Sequence, residues 1–148
     1  MLALVKELAE FEKEPDAVTV TEEEMRAAGF GPDRTWWGWV AEVDAEAPGD
    51  RMVGLAICYE RYSTWRGRVT YLEDIVVTDR MRGQGIGERL FTTCAQHALD
   101  KGHHHMSWQV LDWNEGAIRF YERLGAELDP QWVNGRMDRV AMRKLIEG

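Results

Sequence analysis

A glycine-rich turn within DIVVTDRMRGQGIGERL, residues 74–90, has the residue types needed to hold a phosphate group. Glycines between a strand and a helix let the backbone bend tightly or approach a ligand closely. The unpaired N–H groups at the start of the helix attract an anion, and Arg82 would add a full positive charge. The stretch therefore predicts either an anion-binding turn or a plain structural turn.

Three common phosphate ligands can be compared with the spacing of this turn. A nucleoside triphosphate site ends in Gly-Lys-Ser/Thr, and GIGER supplies neither the lysine nor the hydroxyl group. A dinucleotide fingerprint opens a parallel βαβ unit and has an acid about 20 residues further on, where this chain has GHHH. The pattern that remains is Arg-x-x-Gly-x-Gly at Arg82, Gly85 and Gly87, which could hold a pyrophosphate such as that of coenzyme A or could form a structural turn.

Two other groups of reactive side chains are predicted to have structural roles. The three adjacent histidines of GHHHM enter a strand, where successive side chains alternate between faces and cannot form one tetrahedral site. We therefore expect no metal. Cys58 and Cys94 lack metal-type spacing and have no base nearby in the sequence, so both are interpreted as small core residues.

The elements that must position the turn follow from hydrophobic periodicity and from turn residues. Thr21 and Glu24 form a capping box for the second helix, and Gly29 is expected to end that helix. The predicted order is a helix over 2–13, a helix within 21–31, strands within 35–44, 51–64 and 68–77, a helix from 86 to about 101, a strand over about 105–111, a helix over 114–124 and a strand within 139–145.

This order predicts an α+β fold with a mixed, mostly antiparallel sheet flanked by helices. The turn signals APGD and WRG separate the first three strands and indicate an antiparallel meander. At 148 residues, the chain is expected to form one domain, residues 1–148.

Composition narrows the possible partners. Lys plus Arg number 18 and Asp plus Glu number 26, a net charge of −8, which argues against nucleic acid and favours cationic small ligands. No apolar run approaches the roughly 18 residues that a membrane span requires, and no N-terminal signal pattern is visible. We therefore expect a cytoplasmic protein with no membrane partner.

YLEDIVVTDRMRGQGIGERL followed by VLDWNEGAIRFYERLGA resembles, in spacing and order, the two core motifs of the GNAT family of acetyl-CoA-dependent N-acetyltransferases. EFEK, YSTWRGR, DKG and VLDWN are similar to the diamine (spermidine/spermine) acetyltransferase branch, and most of all to its thialysine acetyltransferases. The resemblance covers residues 1 to about 127. It implies the GNAT fold, acetyl-CoA as co-substrate, a small-molecule amine as acceptor and a homodimer.

Two departures from the family pattern affect these expectations. Members usually begin with a strand before the first helix, and this chain starts inside that helix, so either the first family strand is absent or the recorded start is late. The segment DPQWVNG is shorter than the family segment that helps to hold polyamines, which puts polyamine specificity in question.

The resemblance assigns coenzyme contacts to two segments. The strand residues Ile75, Val76 and Val77 would pair through their backbone with the pantetheine arm and offer an N–H group to the thioester oxygen. Arg82 and the turn that follows it would hold the pyrophosphate. The full set of predicted coenzyme contacts is Ile75, Val76, Val77, Arg82, Gly83, Gln84, Gly85, Ile86, Gly87, Glu88, Asn114, Glu115, Gly116 and Ala117.

The resemblance also assigns two catalytic residues. An aliphatic ammonium group titrates near 10, so a carboxylate must remove a proton before attack, and Glu73 matches the family's substrate-contacting glutamate. Tyr121 matches the tyrosine that protonates the departing thiolate. Asp74 is expected to point to the opposite face of the strand by alternation and so to lie outside the pocket of Glu73.

Acceptor contacts are implied at three further places. Phe11 and Glu12 match a pair that lines the substrate entrance, and Trp65 lies on another substrate-side segment, where Ser63 replaces an aspartate of the polyamine enzymes. Fewer acids imply a shorter or less charged amine. The remaining predicted acceptor contacts are Glu73, Ser107, Trp108 and Gln109. An acetyltransferase for a drug, an amino acid or a protein lysine, and a non-catalytic acyl-CoA-binding module, stay as alternatives.

Overall fold

The computed structural model describes residues 1–47 and 51–147. Apart from Ala47, the predicted APGD turn lies outside the described residues. The helices are α1 (Leu2–Phe11), α2 (Glu22–Phe30), α3 (Ile86–Asp100), α4 (Glu115–Arg123) and α5 (Arg139–Glu147), and the strands are β1 (Trp37–Glu42), β2 (Met52–Ser63), β3 (Gly67–Val77) and β4 (Met106–Ser107).

The strands form one sheet in the order β1-β2-β3-β4. The first three pair antiparallel, and β4 runs parallel to β3. The predicted α+β fold and its meander are therefore confirmed. Two compact units divide the chain: Met1–Gln109 holds the sheet with α1, α2 and α3, and the residues from Val110 onward hold α4 and α5.

The two faces of β2 are covered by different helices. Leu55 and Ile57 cluster with Leu4 of α1, whereas a side chain at Gly54 would meet Leu90 of α3. Because successive strand residues point to opposite faces, α1 and α3 lie on opposite sides of the sheet. The α1 side carries the acidic residues of β3 that matter below.

The capping box of α2 forms as predicted, but the predicted end of that helix at Gly29 is wrong. The Thr21 backbone N–H donates to the Glu24 carboxylate at 2.8 Å, and the Glu24 N–H donates to the Thr21 hydroxyl group at 3.1 Å. The helix continues through Gly29, where an added methyl group would overlap the indole ring of Trp36. Gly29 thus serves close packing within the helix.

The predicted final strand within 139–145 is wrong, because these residues form α5. The Asp138 carboxylate accepts the Ala141 N–H at 2.8 Å and so caps the first turn. The segment is rich in Ala, Met, Arg, Lys and Leu, which favour helices. The predicted strand over 105–111 is reduced to Met106–Ser107. Every helix in the described part of the chain is too short or too polar to cross a membrane.

Candidate active site

A β-bulge in β3 shapes the acidic part of the candidate site. Asp74 pairs with Ile57 and Leu72 pairs with the next residue of β2, so Glu73 is an extra residue without a partner in that register. An extra residue interrupts the alternation of side chains and re-aims those beside it.

The bulge overturns the expectation that Asp74 lies outside the pocket of Glu73. Both carboxylates line one cleft of about 560 Å³ on the α1 side of the sheet. Strand alternation fails here because the bulge places two residues of β3 opposite one residue of β2. The remaining cleft residues are mostly apolar and come from α1, α2, β2 and the segments around α2; they are Val5, Thr19, Val20, Glu24, Met25, Ala28, Trp36 and Ile57.

The surroundings of Asp74 raise the pKa of its carboxyl group. Burial raises the pKa of Asp74 to about 6, and the charges of Glu73 and Glu12 contribute to the rise. Burial also raises the pKa of Glu12, which follows the end of α1. A cationic group entering the cleft would relieve the repulsion among these carboxylates.

Two tyrosines extend the acidic region along β2 and β3. The rings of Tyr59 and Tyr71 lie 5.1 Å apart, and the Tyr71 hydroxyl group donates to Gln109 at 2.9 Å. Burial raises the pKa of both phenols, and the charge of Glu73 adds to the rise. Both tyrosines therefore stay protonated beside Glu73 at neutral pH.

The outer edge of β3 is open where the sequence predicts coenzyme contacts. β4 pairs with β3 only at Thr70–Met106 and Tyr71–Ser107, two residues before the bulge at Glu73. Within the described residues, the part of β3 that holds Ile75–Val77 has β2 on one side and no strand on the other. Apart from the Val77 carbonyl oxygen, which accepts a hydrogen bond from Arg82, its outward backbone groups are available for strand-like pairing with an extended chain.

The glycine turn has the backbone conformation that its sequence predicts. Gly83 and Gly85 have φ angles of 76° and 75°, the left-handed region that glycine adopts without strain. Gly85 is the N-cap of α3, and a side chain at either glycine would meet open space. Ile86 is buried, whereas the predicted contacts Gln84 and Glu88 are exposed and Gly87 is half-buried.

Arg82 is held by neighbours on three sides. Its Nε donates to the Val77 carbonyl oxygen at 3.1 Å, and its Nη1 lies 3.2 Å from the Asp79 carboxylate. The guanidinium carbon lies 5.1 Å from the centre of the Phe11 ring. Arg82, predicted to bind the pyrophosphate, is therefore in direct contact with Phe11, predicted to line the entrance for the acceptor.

The other predicted acceptor residues lie in three places. Trp65 is 84% exposed in the β2–β3 turn, whose N–H groups at Trp65 and Arg66 donate to the Ser63 hydroxyl oxygen at 3.3 and 3.2 Å. Ser63 thus stabilises the turn. The Ser107 hydroxyl oxygen is buried with no hydrogen-bond partner among residues 1–47 and 51–147. Trp108 packs edge-on against Phe91 of α3 at 5.2 Å.

The second unit holds the remaining predicted residues. The Asn114 side chain accepts the Ala117 N–H at 3.1 Å and caps α4. Glu115 pairs with Arg119 at 3.0 Å one turn later, and Gly116 lies between the cap residues in the first turn. Tyr121 is only 5% exposed, with its ring 5.2 Å from that of Phe120.

The histidines of GHHHM have different surroundings. The buried His103 ring bridges the Thr70 hydroxyl group at 2.7 Å and the Glu60 carboxylate at 3.2 Å. His104 and His105 are exposed. Within the described ranges, no group of three or more His, Cys, Asp or Glu is placed to hold a metal ion.

Sequence reasoning missed Asp74 and Tyr59 as members of this site. The adjacent acids of YLED were visible, but assigning both to one face requires the bulge. In the sequence, Tyr59 is distinguished only as an aromatic residue in a predicted strand, which gives no indication of a place in the site.

Comparison with known families identifies the class of protein to which this fold, with its glycine turn at the start of α3 and its open edge on β3, belongs. Residues 2–126 match the model of the acetyltransferase (GNAT) family. The chain belongs to the GNAT acetyltransferase family.

Particular relatives refine this class. The chain is 43% identical over 151 residues to thialysine N-epsilon-acetyltransferase of Sus scrofa, covering 98% of this chain and 89% of that protein. It is 36% identical over 128 residues to the human spermidine/spermine N(1)-acetyltransferase-like protein 1, covering 85% of this chain and 18% of that protein. The crystal structure of an aminoglycoside acetyltransferase from an uncultured soil metagenomic sample, in complex with trehalose, shares the fold with a TM-score of 0.75 at 18% identity, covering 93% and 86% of the two chains.

Proposed function

We propose that this acetyltransferase uses acetyl-CoA to acetylate a primary amine of a small molecule of the diamine, polyamine or thialysine type. The observation that carries the proposal is the cleft in which the bulge of β3 brings Glu73 and Asp74 together. An acidic cleft with apolar walls suits an aliphatic chain that carries an ammonium group.

The residues present fit acetyl-CoA, which supplies an acetyl thioester as the activated group. The left-handed glycines of the turn leave space for a pyrophosphate against the first turn of α3, and Arg82 brings a positive charge. The open edge of β3 at Ile75–Val77 offers backbone groups to an extended pantetheine arm. By resemblance, residues 114–117 of the second unit supply further contacts.

Proton transfer falls to the carboxylates and to Tyr121. An ammonium group with a pKa near 10 must lose a proton before its nitrogen can attack the thioester. Asp74, with its pKa raised to about 6, is a stronger base than an ordinary aspartate, and Glu73 beside it attracts the cation. Tyr121 is proposed to donate a proton to the departing thiolate, a role that suits a weak acid.

The acceptor class follows two relatives, one named a thialysine N-epsilon-acetyltransferase and the other a spermidine/spermine N(1)-acetyltransferase-like protein. Two details favour the shorter amines, because both limit the number of carboxylates available to a polyamine. Ser63, which replaces an aspartate of the polyamine enzymes, is uncharged, and its hydroxyl oxygen accepts N–H groups of the β2–β3 turn. Only Glu73, Asp74 and Glu24 supply carboxylates to the cleft among its described lining residues.

The direct test is a thiol-release assay with acetyl-CoA and a panel of thialysine, putrescine, spermidine, lysine and an aminoglycoside. We expect turnover with thialysine or a diamine and weaker turnover with the aminoglycoside. If the aminoglycoside, or a lysine-containing peptide added to the panel, were strongly preferred, the acceptor assignment would be wrong. If the protein bound acetyl-CoA and released no thiol with any amine, it would be a binding module.

Assembly and location stay predictions from the sequence. We propose a homodimer of single-domain chains, the assembly that the resemblance implies, and light scattering of the purified protein tests it. A cytoplasmic location is proposed from the composition, which is that of an acidic globular protein.

A further inference from the structure

Helix α1 contacts the segment that leads from β3 into the glycine turn. The Glu7 carboxylate accepts the backbone N–H of Asp79 at 3.0 Å. One helical turn later, the Phe11 ring lies 5.1 Å from the guanidinium carbon of Arg82. Residues four apart lie on the same face of a helix, so one face of α1 carries both contacts.

The contacted segment is short and depends on such outside partners. It is a 3₁₀ helix of three residues, Asp79–Met81, and its N-cap Thr78 makes no side-chain capping bond. The first N–H groups of a helix have no partner within it. Glu7 supplies an acceptor for one of them from a different element, 72 residues away in the chain.

The charge of Glu7 makes this contact informative. A carboxylate near a turn that receives a pyrophosphate repels that ligand. The hydrogen bond from the Asp79 N–H to this carboxylate is, however, stronger than a bond to a neutral acceptor, because the acceptor is charged. It therefore fixes the backbone at the point where β3 ends and the turn begins. The contact therefore holds the backbone in place, although the charge of Glu7 weakens the binding of an anion at the turn.

We propose that Glu7 is a positioning residue for coenzyme binding, which holds the backbone at Asp79 so that Arg82 and the amides of the glycine turn are preorganised. This inference rests on the proposed use of acetyl-CoA at that turn. Phe11 supports the same segment by holding the guanidinium group against α1.

The test compares Glu7→Ala, Glu7→Gln and Glu7→Asp with Glu10→Ala, an exposed site on the same helix. Coenzyme A affinity is measured by calorimetry, and KM for each substrate is measured by thiol release. We expect Glu7→Ala to weaken coenzyme A binding about 10-fold through loss of the hydrogen bond. Glu7→Asp keeps the charge but is one methylene too short, so the same loss is expected.

Glu7→Gln keeps an acceptor oxygen and removes the charge, so its affinity should equal or exceed that of the wild type. KM for the amine should change less than about twofold in every variant that keeps the wild-type melting temperature. Wild-type affinity in both Glu7→Ala and Glu7→Asp, or a loss in Glu7→Gln as large as theirs, would overturn the inference. If the wild-type protein bound no coenzyme A, the proposed function would fail instead.

Discussion

The carboxyl group of Asp74 combines burial with the proximity of two other acids. Its pKa is raised to about 6 by burial first and by Glu73 and Glu12 second. A general base works best when its pKa is close to the working pH, because it is then both ionised and able to hold a proton. The pH dependence of the reaction should therefore report on this one residue.

We predict that kcat/KM rises with pH through a midpoint of about 6 in the wild type and that Asp74→Asn abolishes this rise. The asparagine cannot accept a proton, so kcat should also fall by about 10²-fold. The measurement is the pH profile of kcat and of kcat/KM, taken at each pH from initial rates at amine concentrations below and above KM, and Asp100→Asn, an exposed change at the end of α3, is the control. An unchanged midpoint in Asp74→Asn would show that another group titrates.

Asp74 should also lower the free energy of unfolding at neutral pH. A carboxyl group whose folded pKa is raised binds its proton more tightly in the folded state, so its contribution to stability falls as pH rises from its ordinary 3.8 to about 6. We predict that Asp74→Asn is more stable than the wild type by roughly 3 kcal/mol at pH 7.5, with the difference vanishing below pH 4. Urea unfolding at both pH values measures this. A destabilised variant at pH 7.5 would contradict the assigned environment.

Tyr121 gives a third prediction at this scale. Tyr121→Phe removes the proposed proton donor and keeps the ring, so kcat should fall by about 10²-fold while KM for acetyl-CoA changes little. Tyr62→Phe, at a side chain that is 72% exposed, is the matched control. Initial rates across a range of both substrates decide the matter. Full activity in Tyr121→Phe would mean that the thiolate takes its proton elsewhere.

At the scale of elements, the glycine turn offers an internal control. Gly85 and Gly67 have nearly equal φ angles of 75° and 78°, and both face open space. Gly85→Ala and Gly67→Ala should each lose roughly 1–2 kcal/mol of stability from the strained backbone. Only Gly85→Ala should also raise KM for acetyl-CoA, by about 10-fold or more. Equal KM values for acetyl-CoA in the two variants would show that the glycine turn does not bind the coenzyme.

Most elements of the fold could be predicted from the sequence because their signals are local. The three meander strands, the capping box at Thr21 and the left-handed glycines of the turn each follow from residues close together in the chain. The bulge at Glu73 could not be predicted, since it depends on the register between two strands. Gly29 was misread because its function is contact with Trp36, outside the helix.

The prediction of a strand in the C-terminal segment was wrong for a different reason. Residues 139–145, RVAMRKL, mix apolar and charged side chains in too short a run to distinguish a strand from a helix, and the Asp138 cap favours the helix. Short amphipathic segments of this kind are decided by their caps and by tertiary contacts.

At the scale of the whole molecule, the family membership fixes the reaction class, and the acidic cleft suggests its acceptor. The net charge of −8 agrees with a cationic substrate, and the acids that matter most are concentrated on the α1 side of the sheet. The account therefore depends on two neighbouring carboxylates that act on an amine.

The most direct measurement is the N-acetylated product formed from acetyl-CoA and thialysine or putrescine, followed by mass spectrometry in the wild type and in the double variant Glu73→Gln/Asp74→Asn. We predict one acetylated amine per thiol released by the wild type. The double variant should bind coenzyme A normally and turn over at least about 10²-fold more slowly. Wild-type protein that binds coenzyme A yet acetylates no amine, or a double variant with undiminished turnover, would contradict the account.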